Sequence, residues 1–346
     1  MNYINKIVII FLLCFSSSFS QEKLTKEDAV NLALENNYGI LIAKNNVKIA
    51  ENNSGLNNSG YLPRITANAG ANYNLNDTEN TLQNGTVSEN NGAESKSYNA
   101  SIGLNYTLFD GLGRSYNYKR LKEAYNLSEL EAQTVIENSL LQIFSIYYNV
   151  AQLTEDSKNI SETLNVSKQR LLRANYGFEY GQNTKLQVLN AEVDVNNDSI
   201  RYINIRRLLA NSKRDLNLAL GRNVNTDFLV ETNIAFNSIF ELNTLLEKAK
   251  NYNIEMQKVN KNLELSQFDI KINKSNLLPT LNLNSSYGFN KSDNDASFNY
   301  AEQLSQGLNA GLSLNWNLFD GGTTKTRIQN AKIFEDKLKV QKEKVL

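Results

Sequence analysis

The chain has 346 residues, 41% of them hydrophobic, with Lys and Arg numbering 36 against 36 Asp and Glu. That balance lacks the basic surplus that phosphate binding needs, so nucleic acid is not expected as a partner. Histidine is absent, which removes the Ser-His-Asp and Cys-His triads and the His-rich zinc sites. Carboxylate chemistry survives this filter, and the expectation is a non-enzyme without cofactor or metal.

Residues 1–20 read as an export signal. Lys6 gives the positive start, Ile7 to Phe15 the apolar run and Ser16 to Ser20 the small residues before a cut. The run is too short for a spanning helix, which needs roughly 20 apolar residues. The single cysteine, Cys14, lies inside it, so the mature chain is expected to have no disulfide.

Beyond Gln21 no stretch is long and apolar enough to cross a membrane as a helix. Helix-forming segments at Lys26 to Asn57 and Asn243 to Asn276 each lead to one of the chain's two prolines, Pro63 and Pro279. A residue before proline is pushed out of the helical region, so each helix ends there. About forty residues further on, by sequence position, stand Asn105-Tyr106-Thr107-Leu108-Phe109-Asp110-Gly111 and Asn315-Trp316-Asn317-Leu318-Phe319-Asp320-Gly321. With a shared Asn-Tyr upstream, at Asn37-Tyr38 and Asn251-Tyr252, these markers describe one unit written twice. The expected divisions are a leader at 1–20, a first repeat at 21–237 and an incomplete second repeat at 238–346.

After each proline the pattern alternates. Ile65, Ala67, Ala69, Ala71 and Tyr73 interleave with Thr66, Asn68, Gly70, Asn72 and Asn74. Ile102, Leu104 and Tyr106 interleave with Ser101, Gly103 and Asn105 in the next strand. The second copy sets Leu281 and Leu283 against Asn282 and Asn284, then Leu312, Leu314 and Trp316 against Ser313, Asn315 and Asn317. Side chains alternate between faces of a strand, so each strand has an apolar face and an uncharged polar face. A soluble sandwich would alternate too. Strands of about 10–12 residues with aromatics near their ends suit a bilayer crossing better. Asp77 to Lys96 and Lys291 to Gln306 read as polar loops. The wet face is expected to line a lumen through Asn68, Asn72, Asn74, Ser101, Asn105, Asn282, Asn284, Ser313, Asn315 and Asn317.

Asp110 and Asp320 are expected to cap the following helices, with Gly111 and Gly321 allowing the bend. From Arg114 to Arg173 neither proline nor glycine occurs, a helix of about 90 Å at 1.5 Å per residue. Leu140, Ile143, Tyr147 and Val150 mark one heptad-like stripe, and Leu186, Leu189 and Val193 another. Gly177 and Gly181 place a hairpin tip at Asn175 to Thr184.

Four spanning strands cannot close, and an open sheet edge is not tolerated in lipid. The subunit must therefore pool strands with copies of itself.

These features together resemble the TolC family of outer membrane efflux proteins. The matches are Leu62-Pro63 with Leu278-Pro279, the two Leu-Phe-Asp-Gly markers, and Gly181 followed by Leu186, Leu189, Asn190 and Ala191. The resemblance implies an α+β membrane protein: a homotrimer whose twelve-stranded outer-membrane β-barrel continues into a periplasmic α-helical barrel. It also implies a periplasmic adaptor, docking near Tyr180, Gly181 and Gln182, and an inner-membrane pump, in drug efflux or type I secretion. Tyr180 and Gln182 depart from the family's usual neighbours, which leaves the adaptor's identity open. The resemblance further implies a second long hairpin after Leu346, so the sequence reads as a fragment or truncated product. A soluble coiled-coil adaptor or surface stalk is the alternative reading.

Overall fold

The structure is a computed structural model that describes residues 22–233, 241–294 and 301–345. The leader and Cys14 lie outside the described residues. The chain forms two compact units, one of residues 1–46 and 131–247, the other of 47–130 and 248–346.

The first unit starts with β1 (Glu22–Leu24) and α1 (Lys26–Asn36). Thr25 and Asp28 build a reciprocal capping box at the start of α1. The helix ends at Asn37, whose side chain accepts from the Ile40 amide at 3.0 Å and so opens α2 (Tyr38–Asn53). One continuous helix over Lys26 to Asn57 is therefore not what forms. A capping asparagine divides it, because an amide side chain that satisfies free N–H groups favours a new start over continuation.

The long helix α4 (Gly113–Glu179) and α5 (Lys185–Ala219) flank the hairpin tip. Within the first unit the core gathers Ala29 and Ala33 of α1, Ile143, Tyr147 and Val150 of α4, and Leu216 of α5. It also holds β1 and β4 (Phe228–Val230), which pair in parallel. The Tyr147 hydroxyl sits inside this core, donating to the Leu24 carbonyl at 2.9 Å and accepting from the Glu231 amide at 3.1 Å. A buried phenol is tolerated when both of its roles are used.

The stripe on α4 points inward as expected, but the one on α5 does not. Leu186, Leu189 and Val193 are exposed, whereas Val188, Asp198 and Ser212 are buried. The contact stripe is polar in part: Ser167 donates to Asp198 at 2.6 Å and Asn149 to Ser212 at 3.0 Å. A search for apolar residues alone picks the wrong face here.

The second unit holds α3 (Leu56–Ser59), β2 (Arg64–Thr81), β3 (Val87–Phe109), α7 (Ile254–Ser275), β5 (Thr280–Asn294), β6 (Glu302–Asn315) and α8 (Thr323–Val345). Pro63 and Pro279 occupy the joints between helix and strand. The strands form one antiparallel sheet in the order β2-β3-β5-β6. They are 18, 23, 15 and 14 residues long, longer than the alternation predicts. Most of Asp77 to Lys96 is not a loop: the ladder runs on to Thr81 and Val87, closing in a turn where Leu82 donates to Thr86 at 2.9 Å. Lys291 to Asn294 and Glu302 to Gln306 are likewise strand.

The helix α6 (Leu242–Tyr252) precedes Asn253, whose side chain accepts from the Met256 amide at 3.1 Å. Asn253 is thus the counterpart of Asn37, two residues past the Asn251-Tyr252 marker. Shifted this way, the helical copies share the spacing of the prolines, 216 residues (63 to 279). Ile40 and Met256 are then equivalent and both buried, as are Ala43 and Val259. Ser59 and Ser275 match too, each donating back to a carbonyl three residues earlier, at 2.6 and 2.7 Å.

Candidate functional site

The register aligns the alternation of all four strands. Asn105 pairs with Asn284, which pairs with Gly311, and Asn68 pairs with Ser101, which pairs with Gly288. Directly paired residues share a face. Asn68, Asn72 and Asn74 of β2, Ser101 and Asn105 of β3, Asn282 and Asn284 of β5, and Ser313 and Asn315 of β6 therefore lie on one side of the sheet. Asn317 falls just past the end of β6.

This side is knitted by its own side chains. The Thr107 hydroxyl donates to Asn282 at 2.9 Å, and the Asn284 amide to Ser313 at 3.1 Å. Among the described strand residues on it, Arg64 alone carries a charge. The other side carries Ile65, Leu104, Ile102, Tyr287, Leu308 and Leu314, and charges enter it at two successive rungs, Lys291 beside Tyr98 and then Lys96, Asp293 and Glu302 beside Tyr73. Exposed apolar residues on a sheet face of this size call for a non-aqueous neighbour. Carbonyl, amide and hydroxyl groups on the polar side can both accept and donate hydrogen bonds.

The joint between strand and helix is the second feature. Asp110 accepts from the Arg114 amide at 2.9 Å and from its Nε at 3.2 Å. Asp320 accepts from the amides of Gly322 and Thr324 at 3.0 and 2.8 Å. Hydrogen bonds from Thr324 hold the Asp320 carboxyl below the usual carboxylate range. Gly111 and Gly321 adopt φ of 68° in both copies, a conformation glycine takes without steric cost. Arg114, which the sequence reading passed over, also donates to the Gly60 carbonyl and lies over the rings of Tyr61 and Tyr106. Its spacing of four residues from Asp110 was the available signal. A cavity of 420 Å³ lies at this joint, lined by Asp110, Arg114, Ser275, Asn315 and Asn317 among others.

At the hairpin tip Tyr180, Gly181 and Gln182 sit in the turn between α4 and α5. Gly181 has φ of 73°, and the Gln182 amide donates back to the Gly177 carbonyl at 2.6 Å. Thr184 and Gln187 form the capping box that starts α5. Tyr180 is fully presented to solvent, 79% exposed.

Among the described residues no cluster of three or more His, Cys, Asp or Glu could hold a metal. No described helix is long and apolar enough to cross a membrane.

Comparison with solved structures defines the class: the fold is that of outer-membrane channel subunits. The Campylobacter jejuni CmeC outer membrane channel superposes with a TM-score of 0.72 at 17% identity, covering 92% of this chain and 67% of that one. The outer membrane protein VceC of Vibrio cholerae gives 0.66 at 14% identity, covering 92% and 74%. In sequence, the outer membrane protein TolC of Vibrio cholerae serotype O1 is 21% identical over 187 residues, 54% of this chain and 41% of that relative. The chain thus matches less than half the length of this curated relative. Residues 29–222 and 245–345 match the family described as outer membrane efflux protein, and the chain belongs to that family. Membership places it in the outer membrane, with its helical part on the periplasmic side. Family and fold are those of channels rather than enzymes.

Proposed function

We propose that this chain is a subunit of a passive outer-membrane conduit serving an efflux or type I secretion system. The observation that carries the reading is the two-faced sheet with both outer strands unpaired among the described residues. An apolar band on one side suits lipid, an uncharged polar surface on the other suits a wet lumen, and open edges in a bilayer demand pairing. Asn68, Asn72, Asn74, Ser101, Asn105, Asn282, Asn284, Ser313, Asn315 and Asn317 would then line the lumen. Three copies supply twelve strands, a size that bacterial barrels permit.

Energy and substrate choice fall to partners, a periplasmic adaptor and an inner-membrane pump. The exposed turn at Tyr180, Gly181 and Gln182 is the surface offered to the adaptor. The division into repeats at 21–237 and 238–346 belongs to the same reading, since each repeat contributes one strand pair. The test is reconstitution of the full chain into planar lipid bilayers. Discrete conductance steps with weak selectivity between potassium and chloride are expected. A protein that stays in the aqueous phase and gives no steps would return the assignment to a soluble stalk or adaptor.

A further inference from the structure

The apolar side of the sheet is not level. Ala67 and Ala69 of β2 and Ala100 of β3 form a low floor, walled by Ile102, Tyr287 and Phe289. The groove they enclose has a volume of 380 Å³. Ala71 continues the floor, in the rung where Tyr98 pairs with Lys291.

Its depth follows from strand geometry. From Leu281 to Lys291 the apolar side of β5 spans about 26 Å along the bilayer normal, taking about 3.4 Å per residue and a tilt near 40°. Barrels of this kind present an apolar band of about 25 Å. The strand ends remote from the helices point outward, because the helical part is periplasmic. On the same scale Ala67 to Tyr73 covers about 16 Å, close to half of a hydrocarbon core of about 30 Å. The groove therefore runs through the outer leaflet, from near the midplane to the headgroups.

The headgroup end carries its charges in a fixed order. Lys291 is the first charge met on this side among the described residues. One rung further out Asp293 stands opposite Glu302. Their carboxylates lie 3.8 and 3.4 Å from the Lys291 ammonium, and Asp293 Oδ1 accepts no hydrogen bond. Lys96, the other cation of that rung, is held by Glu94 at 3.1 Å. Lys291 and its two carboxylates thus leave an excess of one negative charge, which disfavours a plainly anionic headgroup. A headgroup with phosphate nearest the hydrocarbon and an amine beyond it meets the lysine first and the carboxylates second.

We propose that this groove binds a phospholipid of the phosphoethanolamine class, with an acyl chain on the alanine floor, its phosphate at Lys291 and its primary amine at Asp293 and Glu302. The lysine donates to the phosphate and the amine to the carboxylates, both charge-assisted hydrogen bonds. A quaternary ammonium has no N–H to donate, and a glycerol headgroup has no cation. The inference rests on the conduit reading in taking the apolar side to face lipid.

The test is fluorescence quenching by brominated lipids, with the full chain in phosphatidylcholine vesicles. Trp316 is the only tryptophan, so in a Trp316→Phe background Phe289→Trp reports from the groove and Leu314→Trp from the opposite end of the apolar side. Brominated phosphatidylethanolamine should bind at Phe289→Trp about fivefold more strongly than brominated phosphatidylcholine, the scale of one charge contact at a membrane surface, with no preference at Leu314→Trp. Lys291→Gln, or Ala69→Leu to fill the floor, should remove the preference. Asp293→Asn with Glu302→Gln should transfer it to phosphatidylglycerol. Equal binding of all these lipids at Phe289→Trp would overturn the site and spare the conduit. A preference for phosphatidylglycerol or for lipid A with the native charges in place would do the same. Absence of quenching at both positions would overturn the site and the conduit together, since the apolar side would then not face lipid.

Discussion

Leu112 holds a φ of 69°, a left-handed conformation that its counterpart Gly322 adopts at 87°. A side chain there costs about 1–2 kcal/mol, partly offset by the lower unfolded-state entropy of leucine relative to glycine. Leu112→Gly is therefore expected to stabilise the chain by about 0.5–1 kcal/mol, and Leu112→Val to destabilise it by at least as much, read by denaturant unfolding in detergent. The Asp-Gly pair told of a turn, yet its neighbour gave no warning, because the sequence has glycine there in one copy only. Also at this scale is the Glu123–Lys261 ion pair, 2.7 Å between Oε2 and Nζ. The hydrogen bond from Lys261 lowers the Glu123 carboxyl below its ordinary value, and the same bond to Glu123 raises Lys261 above its own. A depressed carboxyl stabilises above its unfolded value and loses that contribution as pH falls through the folded one. Lys261 loses its share only as pH rises past its raised value. Thermal stability should thus fall less steeply between pH 6 and pH 3, roughly the span around carboxylate titration, in Glu123→Gln than in the native chain.

Among elements, the strands were legible because a sheet with one apolar and one polar side alternates with a period of two. Their full length was not. Beyond Leu75 the β2–β3 ribbon no longer needs an apolar face, and its Asn, Glu, Ser and Thr read as loop although the backbone ladder continues. The helical break at Asn37 was hidden for a related reason, since asparagine inside a helical pattern signals a cap only when its side chain turns back on the chain. The inward face of α5 was misjudged because Asp198 and Ser212 replace apolar residues there. The two-faced sheet makes a prediction of its own. Leu104→Arg, on the apolar side, should cost about 2–4 kcal/mol near the bilayer midplane, and Asn105→Arg, on the polar side, much less. Folding yield into vesicles measures both, and equal losses would count against a lipid-facing side.

For the whole molecule, the duplication was readable from two prolines and two Asp-Gly turns, which recur for reasons of backbone geometry rather than chemistry. The candidate site was readable only as a pattern: asparagines on alternate positions indicated a polar face, while the Thr107–Asn282 bond became visible only once strands from different copies lay side by side. If the conduit reading is right, Arg64 is the one fixed charge on the described wet face of each subunit. Arg64→Glu should then move the reversal potential in a KCl gradient toward cation preference. Unchanged selectivity would place Arg64 away from the ion path.

The unpaired edges of β2 and β6 also bear on time. On the shared-barrel reading, a sheet whose edges wait for another chain cannot complete its folding as a first-order event. Its final ordering step should carry the concentration dependence of a collision between subunits, slowing as the protein is diluted while the core around Tyr147 forms at its own unchanging rate.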